Sequence, residues 1–274
     1  METLLFNTMA FGSIILVLVT IIFIVAQIKN DNSIMDIAYG PLFLVSGLIF
    51  AYLKESFTLI ATIILVLTAL WAGRLGLRIW LKNKGRGEDI RYANWRRDWM
   101  IKGKKYFYLR SYLQINLLQG LIILLVSLPL IISFSFPKTI NITFLILGLS
   151  IFALGFILET TADYQVDRFL AKKRAGTNLA NILTTGLFRF SRRPNYFGET
   201  LIWWGMAVMV LPLPYGFLGL ISPLLITYIV TKITGPMLEK IFLEKYGTEY
   251  ASYMKRTNYF VPGLPKIETK SDIT

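Results

Sequence analysis

The sequence predicts an all-α integral membrane protein with seven transmembrane helices, an outside N-terminus and a cytoplasmic C-terminus. Cytoplasmic loops and an amphipathic C-terminal helix complete this expected architecture. Three observations lead to it. Hydrophobic residues make up 55% of the 274, and mean hydropathy is +0.57. The apolar residues are gathered in long charge-free blocks rather than spread in amphipathic stripes. Of the 29 basic residues, 24 fall in three segments outside those blocks.

A bilayer core of about 30 Å takes roughly 20 helical residues to cross. The blocks Thr3–Ile28, Ile37–Leu53, Ser56–Gly73, Ser111–Pro137 and Thr139–Leu158 are each long enough for one crossing. They place spans at about 4–28, 35–53, 57–80, 111–135 and 139–160. The sixth block, Thr200–Thr231, runs for 32 residues. It is long enough for two spans, 195–211 and 217–235, turned at Leu211-Pro-Leu-Pro-Tyr-Gly216. Continuous apolar runs mean helices rather than a barrel, because a helix satisfies its own backbone in lipid. The first span lacks the basic front end and small-residue cleavage site of a signal peptide, so it reads as retained. One domain, 1–274, is expected.

The basic segments are Lys82–Arg110 with ten, Glu159–Glu199 with seven and Lys232–Thr274 with seven. Seven spans put all three on one face together with Lys29, leaving Lys54 and Lys138 opposite. The positive-inside rule then sets the orientation. Charge located where topology alone would put it gives no reason to invoke nucleic acid. The chain has neither cysteine nor histidine. Disulfides, thiol nucleophiles, the usual neutral-pH proton shuttle and the commonest metal ligand are therefore excluded. Chemistry would fall to Asp, Glu, Tyr, Lys or Arg with an organic cofactor, and no metal site is expected.

Two cytoplasmic loops are long enough to carry structure. In the first, Leu81 to Trp99, glycines give way to a helical pattern whose aromatics Tyr92, Trp95 and Trp99 share one face. The second begins as an extension of span five through Asp163, Asp167 and Arg168, and Gly176 with Asn178 ends that helix. The tail 236–256 reads as a helix with Leu238, Ile241, Phe242 and Tyr246 on one side. Glu239, Glu244, Glu249 and Tyr250 read mainly as its solvated face.

The densest chemistry is Ser191-Arg-Arg-Pro-Asn-Tyr-Phe-Gly-Glu199. Pro194 suits a first helical turn. Arg192 and Arg193 precede a helix N-terminus whose N–H groups favour anions, and arginine grips phosphate in a planar fork. Arg192, Asn195, Tyr196 and Glu199 are thus candidate binders of an anionic cofactor. Trp203, one turn beyond Glu199, is a candidate pocket wall, and Trp204 reads as lipid boundary. Polar groups within spans are functional candidates because hydrocarbon penalises them. Asp36 and Tyr39 share a face of span two, as do Asn116 and Gln119 of span four; interhelical hydrogen bonding is the alternative role.

Gly186-Leu-Phe-Arg-Phe-Ser-Arg-Arg-Pro-Asn-Tyr-Phe-Gly-Glu199 followed by Trp203 resembles the C-terminal signature of the steroid 5-alpha-reductase family. Its little-characterised bacterial membrane branch, related in fold to isoprenylcysteine carboxyl methyltransferases, is the nearer likeness. Arg74, Arg78, Lys84-Gly-Arg-Gly-Glu-Asp-Ile-Arg-Tyr92 and Trp95-Arg are similar to the same branch. So are Asn116-Leu-Leu-Gln-Gly120, Ala162-Asp-Tyr-Gln and Tyr246-Gly-Thr-Glu-Tyr250. The resemblance implies a seven-span reductase that binds NADPH on the cytoplasmic side. Such an enzyme passes hydride to an α,β-unsaturated carbonyl of a lipophilic, steroid-like or isoprenoid substrate. It implies cofactor contacts at Arg74, Arg86, Asp163, Arg168, Asn195, Glu199 and Trp203, and a catalytic carboxyl at Asp36. A bacterial inner membrane is the implied location.

Two positions depart from the pattern. Trp71 stands in place of the family's catalytic tyrosine and is a weaker proton source, with Tyr39 or Tyr92 as possible substitutes. Arg193 stands where many relatives carry histidine. Two other readings remain open. Membrane methyltransferases using S-adenosylmethionine share part of the signature, but here Glu239 is followed by Lys240 rather than a second glutamate. The third reading is a non-enzymatic lipid-binding membrane protein.

Overall fold

The computed structural model describes residues 1–55, 57–85, 87–136 and 141–266. Every regular element among them is helical. Six helices are long and apolar enough to cross a membrane: Glu2–Lys29, Ile34–Lys54, Leu59–Asn83, Lys104–Val126, Ile142–Arg174 and Gly216–Arg256. The expected span at 195–211 forms as a helix of 17 residues, Pro194–Val210. At about 1.5 Å per residue it is some 25 Å long, shorter than a bilayer core of about 30 Å.

The chain divides into two compact units. The first holds Met1–Ile142 and Val210–Ser222, the second Thr143–Met209 and Pro223–Thr274.

The first unit begins with α1 (Glu2–Lys29), α2 (Ile34–Lys54) and α3 (Leu59–Asn83). α1 ends because Asn30 adopts a left-handed conformation at φ 53°, its N–H donating to Gln27. Thr58 caps α3, its hydroxyl accepting from Ala61 N at 3.3 Å. A short helix, α4 (Ile90–Ile101), follows, with Asp89 as its cap. Next come α5 (Lys104–Arg110), a π-helical stretch Ser111–Leu117 and α6 (Leu118–Val126), forming one continuous run. α7 (Leu128–Ser135) completes it beyond Ser127, with Pro129 in its first turn. The expected span at 111–135 therefore starts earlier and is interrupted near its end.

Aromatic edges fill the core. Phe11 and Phe50 meet at 5.4 Å, Phe50 and Phe134 at 5.8 Å, and Phe43 and Trp71 at 5.2 Å. Trp71 is wholly buried. α2 and α3 approach closely because a Cβ on Gly40 would lie 3.0 Å from the Ala72 carbonyl. Asn7 donates to Ser135 at 2.8 Å, an interhelical bond between buried side chains.

The second unit is built on α8 (Ile142–Arg174), α9 (Pro194–Val210), α10 (Ile221–Tyr228) and α11 (Gly235–Arg256). α8 outruns the expected 139–160 by more than three turns, and ends just before Gly176 as its composition implies. Glycines join α8 to α9. A Cβ on Gly148 would stand 2.6 Å from the Gly205 carbonyl, and one on Gly155 the same distance from that of Gly198. Seven residues forward on α8 match seven back on α9, so the two run antiparallel. Only residues without side chains let backbones come so near. Within α11, Gly247 has φ 53° and ψ −126°, which kinks the helix at a residue that tolerates it.

A candidate proton pair and an arginine cage

The Ser191–Glu199 motif folds against the tail of the chain. Ser191 Oγ donates to the Phe260 carbonyl at 2.7 Å and accepts from Arg193 N at 3.1 Å. Arg192 N donates to the Asn258 carbonyl at 2.8 Å, and Gly263 N to that of Phe190 at 3.0 Å. Tyr253 secures the strip from below, donating to the Phe188 carbonyl at 2.6 Å.

Arg192, expected to meet an anionic cofactor, is engaged by protein at every nitrogen. Nε and NH2 donate to Glu239 Oε2 at 3.0 and 2.8 Å. NH1 donates to the carbonyls of Met254 at 3.0 Å and Thr257 at 2.6 Å. The ring of Tyr259 lies 5.5 Å away. Burial followed by the Glu239 charge raises the Tyr259 phenol above its ordinary value. Glu239 and Tyr250, expected on a solvated face, are buried, and Tyr250 donates to Glu239 Oε1 at 2.7 Å. A solvated reading failed because amphipathic patterning counts Glu and Tyr as polar wherever their partner lies. Their separation of three helical turns was the available signal.

Arg193 differs from its neighbour. Its NH2 stands 3.7 Å from Glu239 Oε1, and its guanidinium lies 4.9 Å from the Phe242 ring. Nε and NH2 are buried with no hydrogen-bond partner among the described residues. Elsewhere in this unit Asp163 and Trp203 are buried, Arg168 is exposed, and Asn195, Tyr196 and Glu199 are half-buried on the first two turns of α9.

The first unit holds the other expected residues. Tyr92 donates to Asp36 Oδ1 at 2.5 Å and Arg91 NH2 to Oδ2 at 3.0 Å. Gln119 lies beside both Asp36 and Tyr92. Of the aromatics expected on one face of α4, Tyr92 alone is buried, while Trp95 is exposed. Burial, and then the Asp36 charge, push the Tyr92 phenol well above its ordinary value. A phenol donates to Asp36 from α4, and the Tyr39 ring meets Phe43 edge-on at 5.3 Å.

α4 is pinned in place. Arg96 clasps Glu88 through two bonds of 2.9 Å, and Glu88 Oε1 accepts from Asn32 N at 2.8 Å. Asp89 accepts from both the Nε and the backbone N–H of Arg91, each at 2.9 Å. Burial works to raise the Asp89 carboxyl, but these bonds outweigh it and hold it below the ordinary range. Asn116 is buried and donates to the Ser111 carbonyl at 3.2 Å. Arg74 is half-buried on α3. Arg86 lies outside the described residues.

A family model described as "Protein of unknown function (DUF1295)" matches residues 22–257. No curated protein and no solved structure gives a significant match. The matched stretch takes in the Asp36–Tyr92 pair and the Arg192–Glu239 cage.

Proposed function

The chain belongs to this DUF1295 family, a steroid 5-alpha-reductase-like family, and from that premise we propose that it is a membrane-embedded, NADPH-dependent reductase. Its substrate class is an α,β-unsaturated carbonyl, or similar C=C, of a lipophilic steroid-like or isoprenoid molecule. The observation that carries this reading is the 2.5 Å bond between Tyr92 and Asp36. A phenol donating to a partly buried carboxyl suits general acid catalysis.

NADPH, when bound, supplies the hydride. The residues must hold its anionic end and deliver a proton. Arg193 fits the first task, because its buried Nε and NH2 are donors without hydrogen bonds among the described residues. Arg192 fits it less well, since its donors already serve Glu239 and two carbonyls. For the second task, Tyr92 Oη and Asp36 Oδ1 hold a proton that they would deliver to the carbonyl oxygen or α carbon of the substrate, balancing the hydride that the cofactor would supply to its β carbon. Arg91 orients the carboxyl for this transfer. Tyr92 thereby supplies the phenol that Trp71 cannot.

In this reading Pro194–Val210 is a seventh crossing. The N-terminus is then outside, the C-terminus is cytoplasmic, and the basic segments and cofactor side face the cytoplasm of a bacterial inner membrane. Thermal unfolding of the purified protein in detergent, with NADPH, NADH and S-adenosylmethionine in turn, tests the reading. Stabilisation by NADPH is expected. A shift with S-adenosylmethionine alone would make it a methyltransferase, and no shift with any would leave a lipid-binding protein.

A further inference from the structure

A groove of about 760 Å³ runs along the first unit between α1 and the helix that continues from α5 into α6. Gly12 and Leu16 line it from α1, and Leu113, Leu117 and Leu121 from the other side. Ser13 is the one polar side chain in its wall, and its hydroxyl donates to the Met9 carbonyl at 2.9 Å. Leu16, Leu113 and Leu121 are exposed on helices long and apolar enough to cross a membrane, so the groove opens toward lipid. Neither Asp36 nor Tyr92 lines it.

Cations gather at the start of the same helix. Lys102, Lys104, Lys105 and Arg110 are exposed, and no acidic residue occurs between Asp98 and Glu159. None of the four forms an ion pair among the described residues. Two of them converge on one phenol. Arg110 Nε donates to Tyr106 Oη at 3.0 Å, and Lys102 Nζ stands 5.3 Å from the centre of the same ring. Charges of one sign held this close repel, and an anion between them turns the repulsion into attraction. The terminal nitrogens of Arg110 make no hydrogen bond among the described residues, and such a fork suits phosphate oxygens.

Polarity falls in order along this helix. Arg110 stands three residues before Leu113, and between them Tyr112 Oη shares a bond of 2.9 Å with Thr20 of α1. Beyond that pair the wall is leucine and glycine. From Leu113 to Leu124 the groove extends about 17 Å at about 1.5 Å per residue, near half of a bilayer core of about 30 Å. That is the reach of one acyl chain within a leaflet, and too short for a crossing helix. We propose that this surface binds a phospholipid with an anionic headgroup, its phosphate held by Lys102 and Arg110 and one acyl chain lying in the groove. The site stands whether or not the protein is a reductase.

The test adds dioleoylphosphatidylglycerol, dioleoylphosphatidylcholine or inorganic phosphate to the full chain in neutral detergent micelles and reads thermal unfolding. Both lipids carry the same chains, so the difference between them reports the headgroup. The anionic lipid is expected to raise the unfolding temperature by about 3 °C more than the zwitterionic one. That excess should disappear in the double variant Lys102→Gln/Arg110→Gln and persist in Lys255→Gln, an exposed cation of the second unit. Ser13→Phe, which fills the groove, should lower the shift with both lipids. Each substituted position is exposed, so every variant is expected to fold. Equal shifts for the two lipids, an excess that survives the double variant, or inorganic phosphate matching the anionic lipid would overturn the headgroup site. Lipid shifts unchanged in Ser13→Phe would overturn the groove as the seat of the chain. So would a dimer, seen by light scattering, that Ser13→Phe disperses, because a second copy would then occupy the groove.

Discussion

The arginine cage of the second unit and the polar cluster of the first are built from similar groups but finished differently. Around Arg192 each nitrogen has an acceptor, and Glu239 is met by Tyr250 as well. Around Gln27, Asn32 and Asn116 one donor and two acceptors lack a hydrogen-bond partner among the described residues. A closed network of charged groups fastens the tail to the motif, as removing either partner would strand a buried charge. An open network of neutral groups is costly to fold, because a buried polar atom without a partner has lost its water and gained nothing in return. The motif richest in charge thus serves architecture in large part, and the quieter amides leave buried polar atoms that no described side chain meets.

Variants that break the comparison should separate the two regions by stability. Glu239→Ala has the largest expected effect, a loss of about 3–5 kcal/mol, because Arg192 would stay buried without its carboxylate. Denaturant unfolding that moved by less than about 1 kcal/mol would show that the cage does not hold the tail. Next, Arg192→Ala should cost about 3 kcal/mol and Arg193→Ala only about 1 kcal/mol, the latter losing chiefly its contact with the Phe242 ring. The NADPH shift should vanish in Arg193→Ala. Equal stabilities for the pair would blur the distinction between structural and binding arginine.

Tyr92→Phe sharpens the functional side. It should cost about 1 kcal/mol of stability but lower turnover of an enone by about 10²-fold or more. Its pH dependence has a definite sign. Because the folded phenol titrates above the ordinary value of about 10, it favours the folded state fully below that pH and loses this as pH rises beyond it. The stability difference between wild type and Tyr92→Phe should therefore be flat from neutral pH to about 9 and shrink above about 10. Asn116→Leu has the smallest expected effect, about zero or slightly stabilising, since it removes an unmet buried carbonyl along with one hydrogen bond. A loss of several kcal/mol there would assign the cluster a purely structural role.

Much of the fold was legible in the residues. Hydropathy located six crossing helices, Gly176 ended α8 where expected, and Leu211–Gly216 forms the turn before the last apolar run. Span limits were less legible. The break at Ser127 depends on local backbone bonds, whereas Pro194–Val210 forms within one residue of the expected 195–211 and, at 17 residues, lies at the short end of crossing lengths. At the candidate site, Asp36, Asn116 and Gln119 were visible as polar groups in apolar runs. Glu239 and Tyr250 were misread as solvated, and Tyr92 could not be preferred over Tyr39.

Those failures share a cause. A membrane helix satisfies its own backbone, so its existence and approximate limits are written in consecutive residues. Side-chain hydrogen bonds obey no such locality: Tyr92 reaches Asp36 across 56 positions, and Arg192 reaches Glu239 across 47. By itself the sequence determined which segments are helical and apolar and where positive charge gathers. Only the tertiary structure decided which donors found acceptors, because that depends on faces brought together by packing rather than on any pattern along one helix.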